Sequence, residues 1–150
     1  MINILSGEKF NPNIKSNPND IGFRIIKVDI KKNKKISLNF RDLPNQEKFK
    51  PFIEKYLSSA DCVIIGYDIN NKTNFEEAKN NWYQEAKKIK EFKLMYFIGN
   101  KIDLNEFREV DKEEANEFAK SNNLRFFEIS CKTGEGIEEF YNDLVLNLLK

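Results

Sequence analysis

From about residue 23 onward, short apolar runs alternate with longer stretches of helical periodicity, and few folds are open to a chain with that rhythm. A parallel strand reaches its neighbour only through a crossover, usually a helix, so the alternation predicts βαβ units around a mostly parallel sheet with helices on both faces. Cys62-Val63-Ile64-Ile65-Gly66-Tyr67, Leu94-Met95-Tyr96-Phe97-Ile98 and Phe126-Phe127-Glu128-Ile129 are short apolar runs of the kind found in strands covered on both sides. Ahead of them, Arg24 to Ile30 and Lys35 to Arg41 flank Lys31-Lys32-Asn33-Lys34. This reads as a hairpin whose charged centre is a solvated turn rather than a binding patch.

Three helices are expected between and after these strands. The first opens at Thr73 with Glu76 three residues on, and its apolar stripe is Phe75, Ala78, Trp82, Ala86 and Ile89. The second opens at Asp111 with Glu114 and buries Ala115, Phe118 and Ala119. The third carries Ile137, Phe140, Tyr141, Leu144, Val145 and Leu148 at helical spacing. The aromatic residues of these stripes are read as core, and no repeat or linker divides the chain.

Composition excludes more than it suggests. At 150 residues the chain is expected to be one domain, burying roughly two-thirds of the surface its unfolded form would expose. Twenty-five basic residues against twenty-four acidic ones leave no net field for nucleic acid or a membrane surface. The two cysteines, Cys62 and Cys131, each lie beside an expected strand, as small apolar core residues do, which suits a reduced cytoplasmic setting. No apolar run is long enough to span a bilayer, and no leader pattern opens the chain. The chain has no cysteine near Leu148-Leu149-Lys150 to accept a prenyl group, so no lipid anchor is expected; partners would draw it to the periphery of endomembranes.

The strongest chemical signal is Asn100-Lys101-Ile102-Asp103, directly after the strand ending at Ile98-Gly99. A fixed carboxylate there can accept two parallel donors from one purine edge, the N1 proton and an exocyclic amine, a pattern adenine does not offer. Alone, the tetrapeptide is also simply a polar loop. The second signal is Ser130-Cys131-Lys132-Thr133, between a strand and a helix, which alone reads as a polar turn capping that helix. Both loops should lie outside the carboxyl ends of parallel strands, where open α/β sheets bind ligands. The third is the stretch Asn39-Phe40-Arg41-Asp42-Leu43-Pro44-Asn45-Gln46-Glu47-Lys48-Phe49 together with Tyr56 through Asn70.

With these motifs in place the chain resembles the Rab type of Ras-superfamily small GTPases across nearly its whole length. The first motif is similar to the family's Asn-Lys-x-Asp, the second to its Ser-Ala-Lys loop, and the third to Trp-Asp-Thr-Ala-Gly-Gln-Glu-Arg-Phe and the Tyr-Asp-Ile-Thr strand end. Arg108-Glu109-Val110 and Lys112-Glu113-Glu114-Ala115 also read like Rab proteins. The resemblance implies a Ras-like G domain of the P-loop NTPase fold, with GTP or GDP and Mg2+ as ligands. Asp103 would read the guanine edge, Asn100 would tie neighbouring loops together, and the stems of Lys101 and Lys132 would cover the two faces of the base. Backbone N–H groups around Ser130 and Cys131 would meet the guanine O6. Asp42 would hold magnesium through water, and Gln46 would orient the attacking water.

Two departures limit what the resemblance carries. The phosphate-cradling Gly-x-x-x-x-Gly-Lys-Ser/Thr occurs nowhere in the sequence. The nearest remnant, Gly7 to Lys15-Ser16, is two residues too long and lacks the second glycine. In the better alignment Met1 to Phe10 matches the end of the family's first helix and Asn11 to Phe23 its first switch. Asp20 then replaces the magnesium-binding threonine, Ile21-Gly22-Phe23 keeps the switch signature, and Asn45 replaces the glycine whose N–H meets the γ-phosphate. The family's first strand, which sits mid-sheet, is thus missing, and its place falls to Met1-Ile2-Asn3-Ile4-Leu5, to another chain, or to sequence lost from an incomplete gene product. Weak or absent nucleotide binding is expected, and autonomous GTP hydrolysis is not. Two functions remain open: a guanine-nucleotide switch in vesicle traffic or signalling that engages effectors through its switch regions, and a pseudo-GTPase that binds protein partners without nucleotide. An unrelated flavodoxin-like or receiver-type domain would leave the paired base motifs unexplained.

Overall fold

The computed structural model describes residues 1–5, 9–11, 22–30, 34–43 and 50–149. They divide into two compact units, Met1–Tyr56 and Leu57–Lys150. The first unit opens with a single helical turn, α1 (Ile2–Leu5), closed by bonds from the Ile4 and Leu5 N–H groups to the Met1 carbonyl. The segment expected as a possible sheet filler is therefore helical, with two of its N–H groups spent locally. A hairpin follows, with β1 (Gly22–Ile30) antiparallel to β2 (Lys34–Asp42) in a register that sets Gly22 opposite Asp42 and Ile26 opposite Leu38. The turn expected at Lys31 to Lys34 lies mostly outside the described residues, as do Asp20, Asn45 and Gln46.

Helix α2 (Lys50–Ser59) was not anticipated from the sequence and leads into the second unit. The carbonyls of Ser58 and Ala60, at and just beyond its C-terminus, accept from the Lys90 ammonium at 3.0 and 2.7 Å, a cation placed where unsatisfied carbonyls collect. Strands β3 (Val63–Asp68), β4 (Met95–Asn100) and β5 (Arg125–Glu128) then form a parallel sheet in the order β3-β4-β5. Among the described residues the strands make this sheet and the hairpin, and no strand links the two.

The middle strand shows why the alternation in the sequence was informative. Residues 95–99 of β4 are all buried, because side chains of a strand point alternately to two faces and helices cover both. On one face Phe97 packs within 5.0 Å of the Tyr67 ring and 5.0 Å of Phe118, with Phe75 alongside at 5.9 Å. On the other, Tyr96 meets Phe140 edge-on at 5.2 Å and Phe127 at 6.0 Å. The covering helices are α3 (Lys72–Glu77), α4 (Tyr83–Ile89), α5 (Lys112–Ser121) and α6 (Ile137–Leu148). Asp111 caps α5 by accepting from the Glu113 and Glu114 N–H groups, at the position the sequence indicates.

Two details of the first covering helix differ from expectation. Its cap is Asn71, whose side chain accepts from the Asn74 N–H at 2.9 Å, rather than Thr73. Asn71 outranks Thr73 because the Asn74 side chain also accepts from the Asp68 N–H at 2.9 Å, which fixes the chain where it leaves β3. A π-helical turn, Ala78–Trp82, separates α3 from α4, and the Tyr83 N–H bonds back to the Ala78 carbonyl five residues earlier. The buried positions accordingly run Phe75, Ala78, Tyr83 and Ala86, so that Tyr83 takes the inward place expected of Trp82.

Helix α6 begins at Gly136, which has φ 72°. A Cβ there would lie 2.5 Å from the Glu128 carbonyl oxygen, whereas one at Gly134, with φ 87°, would meet nothing within 4 Å. Gly134→Ala should therefore cost only the left-handed backbone penalty of about 1–2 kcal/mol. Gly136→Ala should cost clearly more, because the start of α6 must also move off β5. Midpoints of thermal unfolding check this, and equal losses for the two variants would rule out the close approach as the reason for glycine at 136.

Candidate functional site

The second unit ends its three parallel strands at one edge, and hydrogen bonds tie the chain together there. The Ile129 N–H donates to the Gly99 carbonyl at 2.8 Å, the Ile69 N–H to the Asn100 carbonyl at 3.0 Å, and the Ile102 N–H to the Ile129 carbonyl at 3.3 Å. Between the last two bonds the backbone reverses at Lys101, a non-glycine residue in the left-handed region at φ 70° and ψ 35°. A side chain in that region costs conformational energy, which neighbouring contacts must offset. The Lys101 ammonium pairs with the Asp68 carboxylate at 2.8 Å, and the 3-10 turn Ile102–Phe107 follows at once. Gly99 leaves room for this crossing, since a Cβ on it would stand 2.8 Å from the Tyr67 hydroxyl oxygen.

The Ser130 hydroxyl joins the two motif loops. It donates to Asp103 Oδ1 at 2.6 Å and accepts from the Lys132 and Thr133 N–H groups at 3.2 and 3.1 Å. One donor and two acceptor sites are all a hydroxyl has, and Ser130 is fully buried, so its hydrogen-bonding capacity is met in full. A second link runs from the Cys131 N–H to Asn100 Oδ1 at 3.2 Å. The Lys132 ammonium lies 3.6 Å from Asp103 Oδ2. Residues 100, 103, 130, 131 and 132 thus converge, and Lys101 is held beside them by Asp68.

The backbone donors expected to face a base oxygen are engaged within the protein: Cys131 with Asn100, and Lys132 and Thr133 with Ser130. Buried N–H groups need partners, so an incoming carbonyl oxygen would take Asn100's place on Cys131. Asp103 keeps acceptor capacity, since a carboxylate offers about four lone-pair sites and Ser130 occupies one of them. This donor and acceptor set fits a purine edge with two adjacent donors. Among the described residues no three acidic, cysteine or histidine side chains cluster. Asp42 stands exposed at the end of β2 in the other unit, and Gln46 lies outside the described residues.

Asp68, Arg108, Glu128 and Gly136 complete the architecture of this edge; Arg108 and Asp68 fall within matched stretches of the sequence, and none of the four is read there as a site residue. Glu128 could have been noticed as the one charge in the otherwise apolar run Phe126-Phe127-Glu128-Ile129. Its side chain is 7% exposed and holds the Arg108 guanidinium through two bonds of 2.7 and 3.0 Å. The cysteines are quiet by comparison. Burial and the neighbouring Asp61 push the Cys62 thiol up to about 12, which leaves it protonated and unreactive at neutral pH.

The Ser130 hydroxyl holds the Asp103 carboxyl below its usual range, against burial, which acts to raise it. A carboxylate depressed in the folded state adds stability that is complete above its unfolded value of about 3.9 and is lost as pH falls through the folded one. Ser130→Ala should therefore destabilise the domain by about 1.5–3 kcal/mol at pH 7 through loss of a hydrogen bond to a charged group. The deficit should shrink at pH 3, leaving the part due to the Lys132 and Thr133 amides. Urea unfolding at the two pH values measures this, and a deficit independent of pH would separate Asp103 from the effect.

Residues 3–150 match the model of the Ras family. The Ras-related protein Rab-2B of Dictyostelium discoideum is 36% identical over 132 residues, covering 87% of this chain and 63% of that protein. Rab-13 of Bos taurus is 35% identical over 130 residues, 86% of this chain and 63% of that protein. Rab-30 of Homo sapiens is 32% identical over 130 residues with the same two coverages. The chain thus spans somewhat under two-thirds of the length of these relatives. No helix among the described residues is long and apolar enough to cross a membrane. With a parallel α/β sheet, two loops converging at its carboxyl edge and a family match over almost every residue, the chain belongs to the Ras family and is of Rab-like kind.

Proposed function

We propose that this chain, acting as a single Rab-like domain, recognises guanine through Asp103, with Asn100, Ser130 and Cys131 setting the loops and the stems of Lys101 and Lys132 flanking the base. The observation that carries the proposal is the 2.6 Å bond from the Ser130 hydroxyl to Asp103, which joins motifs 27 residues apart at one edge of the sheet. The second motif turns a polar loop into a reader, because a carboxylate fixed by a neighbour's donor is pre-oriented for two more.

Phosphate recognition rests on less. Charge-assisted hydrogen bonds contribute about 1.5–3 kcal/mol each, and the sequence has no glycine-rich phosphate loop to supply several of them. Nucleotide affinity is accordingly proposed to be weak and carried by the base. Asp42 and Gln46 are assigned the family roles of holding magnesium through water and orienting the attacking water, with turnover expected to be negligible. The same lack of a phosphate loop favours a second reading, in which the domain is an interaction module in vesicle traffic or signalling that engages effectors or regulators whatever nucleotide is present.

Titration of the purified protein with fluorescent GDP and magnesium, displaced by guanosine or adenosine, tests the first reading. Guanosine should compete at least about tenfold better than adenosine, the equivalent of about 1.4 kcal/mol, and Asp103→Ala should remove the difference. Equal competition by the two nucleosides would refute guanine recognition and leave the interaction module.

A further inference from the structure

Two arginines of the second unit make bidentate pairs with carboxylates, and they differ in where they stand. Arg125 binds Asp143 and joins β5 to α6 away from the loops. Arg108 binds Glu128, and both partners sit beside the site: Arg108 follows Asp103 in the same loop, and Glu128 precedes Ser130 on the end of β5. A buried ion pair is weak grounds for stability, because desolvation offsets much of the attraction, but it specifies one arrangement of the groups it joins.

Two further donors of Arg108 serve the same crossing. Its Nε donates to Asn105 Oδ1 at 2.8 Å and its Nη1 to the Val110 carbonyl at 3.1 Å. The next two amides, Glu109 and Val110, both donate to the Ile69 carbonyl beyond β3, at 2.9 and 3.0 Å. One planar guanidinium therefore braces the Asp103 loop against the end of β5, while its own backbone neighbours hold the end of β3. A lysine would supply the charge without the fork.

We propose that Arg108 is a positioning residue for base recognition: through Glu128 it holds the Ser130 loop in register with Asp103. This rests on the guanine-reading proposal for its biological meaning, and the positioning itself has a readout that needs no ligand. The amides of Cys131, Lys132 and Thr133 are bonded to Asn100 and Ser130, so their protection against hydrogen exchange reports the loop register in the free protein.

Amide exchange of the free protein should be compared for wild type, Arg108→Met and Arg125→Met, followed by guanosine and adenosine titrations of each. Arg108→Met should speed exchange at residues 131–133 by about tenfold or more and reduce the preference for guanosine, while Arg125→Met should leave those amides within about twofold of wild type. Should Arg108→Met fail to fold, Arg108→Lys takes its place, with the same expectation because the ammonium lacks the fork. Equal effects of the two arginine positions on residues 131–133, or no effect of either, would overturn the positioning role and reduce the pair to a general stabiliser. If wild type shows no guanosine preference while the exchange difference is present, guanine recognition fails and the positioning of the loop stands.

Discussion

The Ser130 hydroxyl is the smallest group on which this edge of the molecule depends. It is buried, its donor is committed to Asp103 and its acceptors to two successive amides. Each motif loop has bonds of its own, from the Leu104 N–H to the Lys101 carbonyl in one and from the Gly134 N–H to the Ser130 carbonyl in the other. What sets the two in register is the contact between them, through Ser130 with Asp103 and Cys131 with Asn100. A hydroxyl suits the place because it is small enough to sit inside the turn and donates and accepts at once, which an amine or a carboxylate does not.

The parallel sheet sets the conditions for that contact. Burying β4 on both faces places Gly99 and Asn100 at a defined height, and parallel register brings β5 to the same level, with Gly99 beside Glu128. Loops that leave neighbouring parallel strands at the same end converge by construction. The covering helices are also joined by surface ion pairs, such as Lys72 with Glu114 at 2.6 Å between α3 and α5.

The larger outlines were legible in the sequence because they are repeated signals. The three core strands, the hairpin, the α5 cap at Asp111 and the apolar stripe of α6 each rest on several residues that agree. What escaped depends on single residues in competition. Thr73 and Asn71 are both residue types that cap helices, and it is the Asn71 side chain that accepts from the Asn74 N–H, with Asn74 in turn holding the Asp68 N–H. Met1 to Leu5 alternates weakly like a strand, yet it forms one helical turn in which the Ile4 and Leu5 amides bond to the Met1 carbonyl. Helix α2 carries no acidic residue in its first turn to mark it. At the candidate site the motif residues were visible as motifs, whereas Asp68, Arg108 and Glu128 act through pairing across 20 or more positions, and pairing leaves no local trace in a single sequence.

The π turn between α3 and α4 has a consequence for how the two ends of that helical stretch are governed. Its upstream end is anchored by asparagine side chains at the close of β3, and its downstream end by buried Tyr83 and Ala86, with the Tyr83 ring edge-on to Phe118 of α5 at 5.5 Å. A regular helix would make those two attachments share one rotation about the axis. One additional residue in the turn shifts everything after it by about 100°, so each end takes the orientation its own surroundings demand. The helical stretch works as two rods with a phase coupling between them, and the strand terminus that bears Asp68 is relieved of any obligation to follow how Tyr83 packs.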